Sequence, residues 1–139
     1  MAERAAAPPL RLTGGEVLTE AGLVPATVGM AEGRIDPDAD GPALPVDGHW
    51  LLPGIVDLHG DGFERHLAPR RGAMTDLTAG LTALEAELAH CGITTAWLAQ
   101  FWSWEGGMRG PDFARRLAQA LDMARPALAL DLRMQLRLE

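Results

Sequence analysis

The spacing of apolar residues changes several times along the chain, and each change predicts a different kind of element. From Leu10 to Trp50 the apolar runs are only two or three residues long and are cut by Gly14-Gly15, Glu20-Ala21-Gly22 and Ala31-Glu32-Gly33. Runs this short between turn residues predict small strands joined as hairpins. The stretch Asp36-Pro37-Asp38-Ala39-Asp40-Gly41-Pro42 is too polar and turn-rich for a regular element. Leu51 to Asp61 then reads as a strand. Beyond it the period becomes helical: Leu77, Leu81, Leu84, Leu88 and Cys91 form one stripe, with Thr75 or Asp76 to cap its start and Gly92 to end it. Cys91 is expected in the core, and Glu85 and Glu87 in water. Ile93–Phe101 is β-branched and aromatic and predicts a buried strand, with Trp102 to Gly107 as its exit loop. A second helix follows, with Pro111 in its first turn, Phe113, Leu117, Leu121 and Ala124 on its stripe, and Pro126 as its stop. The last run alternates: Leu128, Leu130, Leu132, Met134, Leu136 and Leu138 on one side, Asp131, Arg133, Gln135, Arg137 and Glu139 on the other.

Strand, helix, strand, helix, strand at this spacing predicts parallel βα units. A barrel and an open doubly wound sheet both satisfy it. In either, ligands gather at the carboxyl ends of the strands. Those ends carry His59 and Asp61, then Gln100 to Glu105, then Arg137 and Glu139.

The chemistry concentrates in the first of these strands. Ile55, Asp57, His59 and Asp61 are spaced by two, so an extended chain places them on one face. Unpaired buried charges there would cost several kcal/mol. A divalent cation reverses that cost, and an imidazole with a carboxylate suits zinc, manganese or iron. A hydrogen-bonded structural pair is the plainer alternative.

Composition narrows the function classes. The 139 residues carry a net charge of −7, which leaves no electrostatic footprint for nucleic acid. All twelve basic residues are arginine, so a carbamylated lysine bridging two metals cannot come from these residues. One cysteine, Cys91, rules out an intrachain disulfide and suits a reducing compartment. The first residues lack the apolar core of a secretory signal, and no apolar run approaches the roughly 20 residues a membrane helix needs. A cytoplasmic protein is expected, with no membrane partner.

Pro53-Gly54-Ile55-Val56-Asp57-Leu58-His59 resembles the first barrel strand of the amidohydrolase superfamily, with Asp61 where the second histidine of His-x-His usually stands. The longer run, from Asp57 through Gly60-Asp61 to His66-Leu67-Ala68-Pro69-Arg70, resembles the branch that works in phosphonate catabolism. Glu32-Gly33-Arg34-Ile35, Cys91-Gly92-Ile93-Thr94-Thr95 and Leu136-Arg137-Leu138-Glu139 extend the likeness over most of the chain. The resemblance implies a partial (β/α)8 metal-dependent hydrolase barrel at residues 53–139, preceded by part of a small β-sandwich at residues 1–52. A whole barrel needs about 250 residues, so the expectation is the N-terminal portion of a longer protein, inactive alone.

The implied activity is a diphosphatase that releases diphosphate from α-D-ribose 1-methylphosphonate 5-triphosphate. The implied cofactor is a divalent metal, zinc or else manganese or iron, on His59 and Asp61, with Asp57 holding His59. Arg70, Arg71, Arg137 and Glu139 are the candidate contacts to the phosphorylated small-molecule substrate, since a guanidinium fork suits phosphate oxygens. A homo-oligomer is compatible with this reading. The rivals are an amidohydrolase acting on a cyclic amide or other C–N bond, and a non-catalytic binding or assembly chain.

Overall fold

The computed structural model describes residues 7–68 and 76–139, which fall into two compact units divided between Pro53 and Gly54. The first unit contains seven short strands: β1 (Leu10–Thr13), β2 (Glu16–Thr19), β3 (Gly22–Pro25), β4 (Val28–Ala31), β5 (Arg34–Ile35), β6 (Ala43–Pro45) and β7 (Trp50–Leu51). Two of the expected hairpins form, β2 with β3 and β4 with β5. The β4–β5 turn has Glu32 at φ 51° and Gly33 at φ 73°, the pair of positive angles that matches the twist of a tight hairpin. Adjacent β1 and β2 do not pair. They enter different sheets, one ordered β5-β4-β1-β6 and the other β3-β2-β7.

The second unit contains β8 (Ile55–Gly60), α1 (Glu64–Leu67), α2 (Leu77–His90), β9 (Ile93–Trp102), a 3-10 turn (Gly107–Arg109), α3 (Pro111–Ala124) and β10 (Asp131–Leu138). Asp76 caps α2, accepting from the backbone N–H groups of Thr78 and Ala79. Gly92, at φ 78°, releases the chain into β9. The three strands are parallel in the order β10-β9-β8. Because strand order follows chain order, crossovers of one hand put both long helices on the same face. There Leu81 and Leu84 of α2 and Phe113, Leu117 and Leu121 of α3 close on Ala96, Leu98 and Leu132. Phe63 and Leu67, flanking and within α1, complete this core. No helix among the described residues is long and apolar enough to cross a membrane.

This architecture corrects the expected partial (β/α)8 barrel with a preceding part-sandwich. The fold is mixed α/β and dominated by sheet: three small sheets of three or four strands, with three α-helices among the described residues. Closing a sheet requires the tilt and stagger of about eight strands. Among the described residues, three strands with helices on one face leave β8 and β10 unpaired on their outer sides. The motifs behind the barrel expectation specify local strand–helix alternation, which an open sheet satisfies equally.

Smaller corrections have the same character. Cys91 follows the last turn of α2 and is exposed, because the stripe outruns the core beneath it. Glu87 meets Arg65 and His66, and Glu85 accepts from the backbone N–H groups of Ala129 and Leu130. Both carboxylates are half-buried, since each answers donors of a neighbouring element. On β10, Leu132 is buried but Leu138 is 77% exposed, so the apolar face is covered only at its start.

Candidate functional site

β8 does not run straight. Asp57 pairs with Ala96 and Gly60 with Leu98, so Leu58 and His59 together stand opposite Trp97 alone. This bulge breaks the alternation on which a shared face for Asp57 and His59 depended. Asp57 lies beside Ala96 on the helix side, and its carboxylate accepts the backbone N–H of His59 at 3.0 Å. The His59 ring reaches the opposite face, where Nδ1 stands 2.9 Å from Oε1 of Gln135. The expected hold of Asp57 on the imidazole is therefore exerted by Gln135, while Asp57 shapes the backbone.

The contact sets Nδ1 against the Gln135 amide and turns Nε2 away from it, toward Asp61. That nitrogen lies 3.4 Å from Oδ1 of Asp61. A proton on Nε2 or a cation between the two groups makes such a contact favourable. Ligand atoms about 2.1 Å from a tetrahedral ion stand roughly 3.4 Å apart, so the spacing fits a bound cation. Both side chains remain half-exposed or more. Among the described residues no group of three or more His, Cys, Asp and Glu side chains is arranged to hold a metal.

Arg137 completes the cluster. Its guanidinium is 3.5 Å from the same Asp61 oxygen, 3.7 Å from Glu139 and 4.3 Å from the centre of the Phe101 ring. Arg109 packs on Phe101 as well, at 4.6 Å, and is ion-paired with Glu105. That hydrogen bond and charge raise the Arg109 pKa above its ordinary value. Glu139 thus stands beside Arg137 as its counter-charge. Arg70 and Arg71 lie outside the described residues.

A cavity of about 180 Å³ opens at the end of β8, lined by Asp57, His59, Asp61, Arg65 and Glu87 among others. His66 borders this region from α1, with Nε2 2.9 Å from Glu87. Trp97 and Trp102 carry Arg133 and Arg115 on their rings, whereas Trp104 is 88% exposed.

Sequence reasoning missed the part played by Gln135 and placed Gln100 only among the polar groups at a strand end. Gln135 appeared only as one polar position on an alternating strand, and nothing local joins it to a histidine 76 residues earlier. Gln100 is wholly buried, and its amide donates to the carbonyls of Phe101 and Met108, tying the exit turn that carries Arg109 to the strand end. A lone polar residue within an apolar strand was its signal. Compared with protein-family models, with curated proteins and with solved structures, the chain matches none.

Proposed function

We propose that the chain carries the metal-binding end of a hydrolase that cleaves a phosphoanhydride bond, with His59 and Asp61 as protein ligands to a divalent cation. The observation that carries this reading is the convergence of the His59 Nε2 and an Asp61 carboxylate oxygen at 3.4 Å, with Nδ1 held at 2.9 Å from Gln135. A metal-bound histidine commonly donates its other ring N–H to an oxygen acceptor. Zinc fits this nitrogen–oxygen pair, and manganese or iron would also accept it. Such an ion supplies acidity to water and positive charge to phosphoryl oxygens.

The chain's own groups divide the remaining work. His59 and Asp61 bind the ion, and Gln135 holds the imidazole at Nδ1. Arg137, over the Phe101 ring and shared between Asp61 and Glu139, turns its fork to a substrate phosphate. The resemblance to the phosphonate branch of the amidohydrolases supplies the substrate class, a ribosyl triphosphate bearing a phosphonate. Remaining donors would come from outside the described residues.

Titration with cobalt(II), followed by its visible absorption, tests the metal assignment without relying on turnover. One equivalent should bind. His59→Ala and Asp61→Ala should each weaken binding by more than about 100-fold, beyond the 10–100-fold typical of outer partners. Equal binding in the wild type and both variants would sink the assignment. Arg137→Ala should lower kcat/KM on the triphosphate, and unchanged kinetics would remove Arg137 from the substrate contact.

A further inference from the structure

His59 and Asp61 share a face with Gln135 and Arg137 only because β8 carries one residue too many. Asp57 stands opposite Ala96, and Gly60 opposite Leu98. Ala96 and Leu98 belong to the core on which the helices close. A regular strand would span the step between them with a single residue, and β8 uses two, Leu58 and His59. Residues spaced by two share a face, so unbroken alternation from Asp57 would send His59 and Asp61 to the helix side with it. The surplus residue shifts the phase by one, and such a shift turns every later side chain to the other face. Both candidate ligands accordingly meet β10. Nδ1 of His59 lies 2.9 Å from Gln135, and Asp61 lies 3.5 Å from Arg137.

Three residues hold this arrangement. A bulge disrupts the ladder locally, and the N–H it frees needs another acceptor. Asp57 supplies one: a carboxylate oxygen lies 3.0 Å from the backbone nitrogen of His59. Gly60 leaves room for that carboxylate, since a Cβ there would stand 3.1 Å from its second oxygen and 3.4 Å from the carbonyl oxygen of Trp97. Ala99 is the residue of β9 opposite Gln135, and β9 lies between β8 and β10. Its single methyl lets the imidazole and the amide meet across the middle strand.

We infer that Asp57 is a positioning residue for the metal site: by holding the β8 bulge, it decides on which face of the sheet His59 and Asp61 emerge. The carboxylate acts through the backbone, from the helix side, and is not itself a ligand. The consequence for the ion rests on the reading proposed above, whereas the cause is strand geometry alone.

Two measurements on the full chain test this. In metal-free protein, nuclear Overhauser contacts should join the His59 ring to the Gln135 side chain. Asp57→Ala should lose them, and Asp57→Asn should keep them, because an amide oxygen still accepts the His59 N–H. Cobalt(II) affinity should follow the same order, with Asp57→Ala about 10–100-fold weaker than the wild type and Asp57→Asn unchanged. Deleting Leu58 removes the surplus residue, so His59 alone meets Trp97 and both ligands keep their face on a regular ladder. In that background Asp57→Ala should cost no cobalt affinity, a rescue that separates positioning from general stability. A wild type that binds no cobalt would end the metal reading, and the ring contacts would still decide the role of Asp57. Ring contacts that survive Asp57→Ala, an Asp57→Asn variant that behaves like Asp57→Ala, or a loss undiminished by deleting Leu58 would each overturn the proposal.

Discussion

His59 shows how one side chain acquires a role from neighbours far away in the chain. Gln135 holds Nδ1 of the ring, and Asp61 stands at Nε2. Gln135→Ala should leave the fold intact yet weaken cobalt binding by about 10–100-fold, the usual cost of losing such a partner. Unaltered affinity in that variant would show that the ring needs no anchor. His66 makes a second prediction. Burial first, and the Arg65 guanidinium second, hold its pKa below the ordinary 6.5. Glu87 at 2.9 Å pulls the other way, but its carboxylate is 41% exposed and solvent screens the attraction. The neutral ring is the form the fold favours. Its stabilisation is complete above about pH 6.5 and is lost as pH falls toward and through the lowered folded value. The urea midpoint should therefore drop between pH 7.5 and 5.5, and His66→Gln should flatten that slope. An equal slope in the variant would assign the acid sensitivity elsewhere.

At the scale of elements, the α1–α2 contact is set by a glycine. A Cβ on Gly80 would lie 2.8 Å from the carbonyl oxygen of His66 and from a Leu67 methyl. Mid-helix glycine costs about 1 kcal/mol relative to alanine, and here that cost permits close approach. Gly80→Ala should destabilise the protein by about 1–3 kcal/mol through overpacking, against the usual gain from removing a helical glycine. Chemical denaturation decides the sign, and a more stable variant would mean that α1 can shift. The elements were largely legible in the sequence: the leucine stripe, Asp76 and Gly92 bound α2, and Pro111 opens α3. The β8 bulge was not, because it arises from how two strands share a ladder. Residues spaced by two share a face only while that ladder is regular.

At the scale of the molecule, burial is uneven between the units. Every buried core side chain among the described residues lies in the second unit except Ala39, which is small. Local opening is cheapest where few apolar groups are buried. Amide hydrogen exchange should therefore be faster in β1–β7 than in β9 and α3, and equal protection in both units would contradict that distribution of stability. The second unit has the opposite condition. Its core is well filled, and only towards the end of β10 do leucines, Leu136 and Leu138, stand exposed.

Residue type and spacing by themselves determined the two long helices, the parallel strand–helix rhythm, and the presence of an imidazole and a carboxylate at a strand end. Those features depend on side chains a few positions apart, where periodicity and capping act. Tertiary structure alone decided that the sheet is open, that the N-terminal strands divide between two sheets, that Asp57 serves the backbone while Gln135 holds the ring, and that Glu85 and Glu87 turn inward. Each of these depends on groups brought together from distant parts of the chain. The free energy of such a meeting is a property of the pair, and neither partner's local sequence contains it.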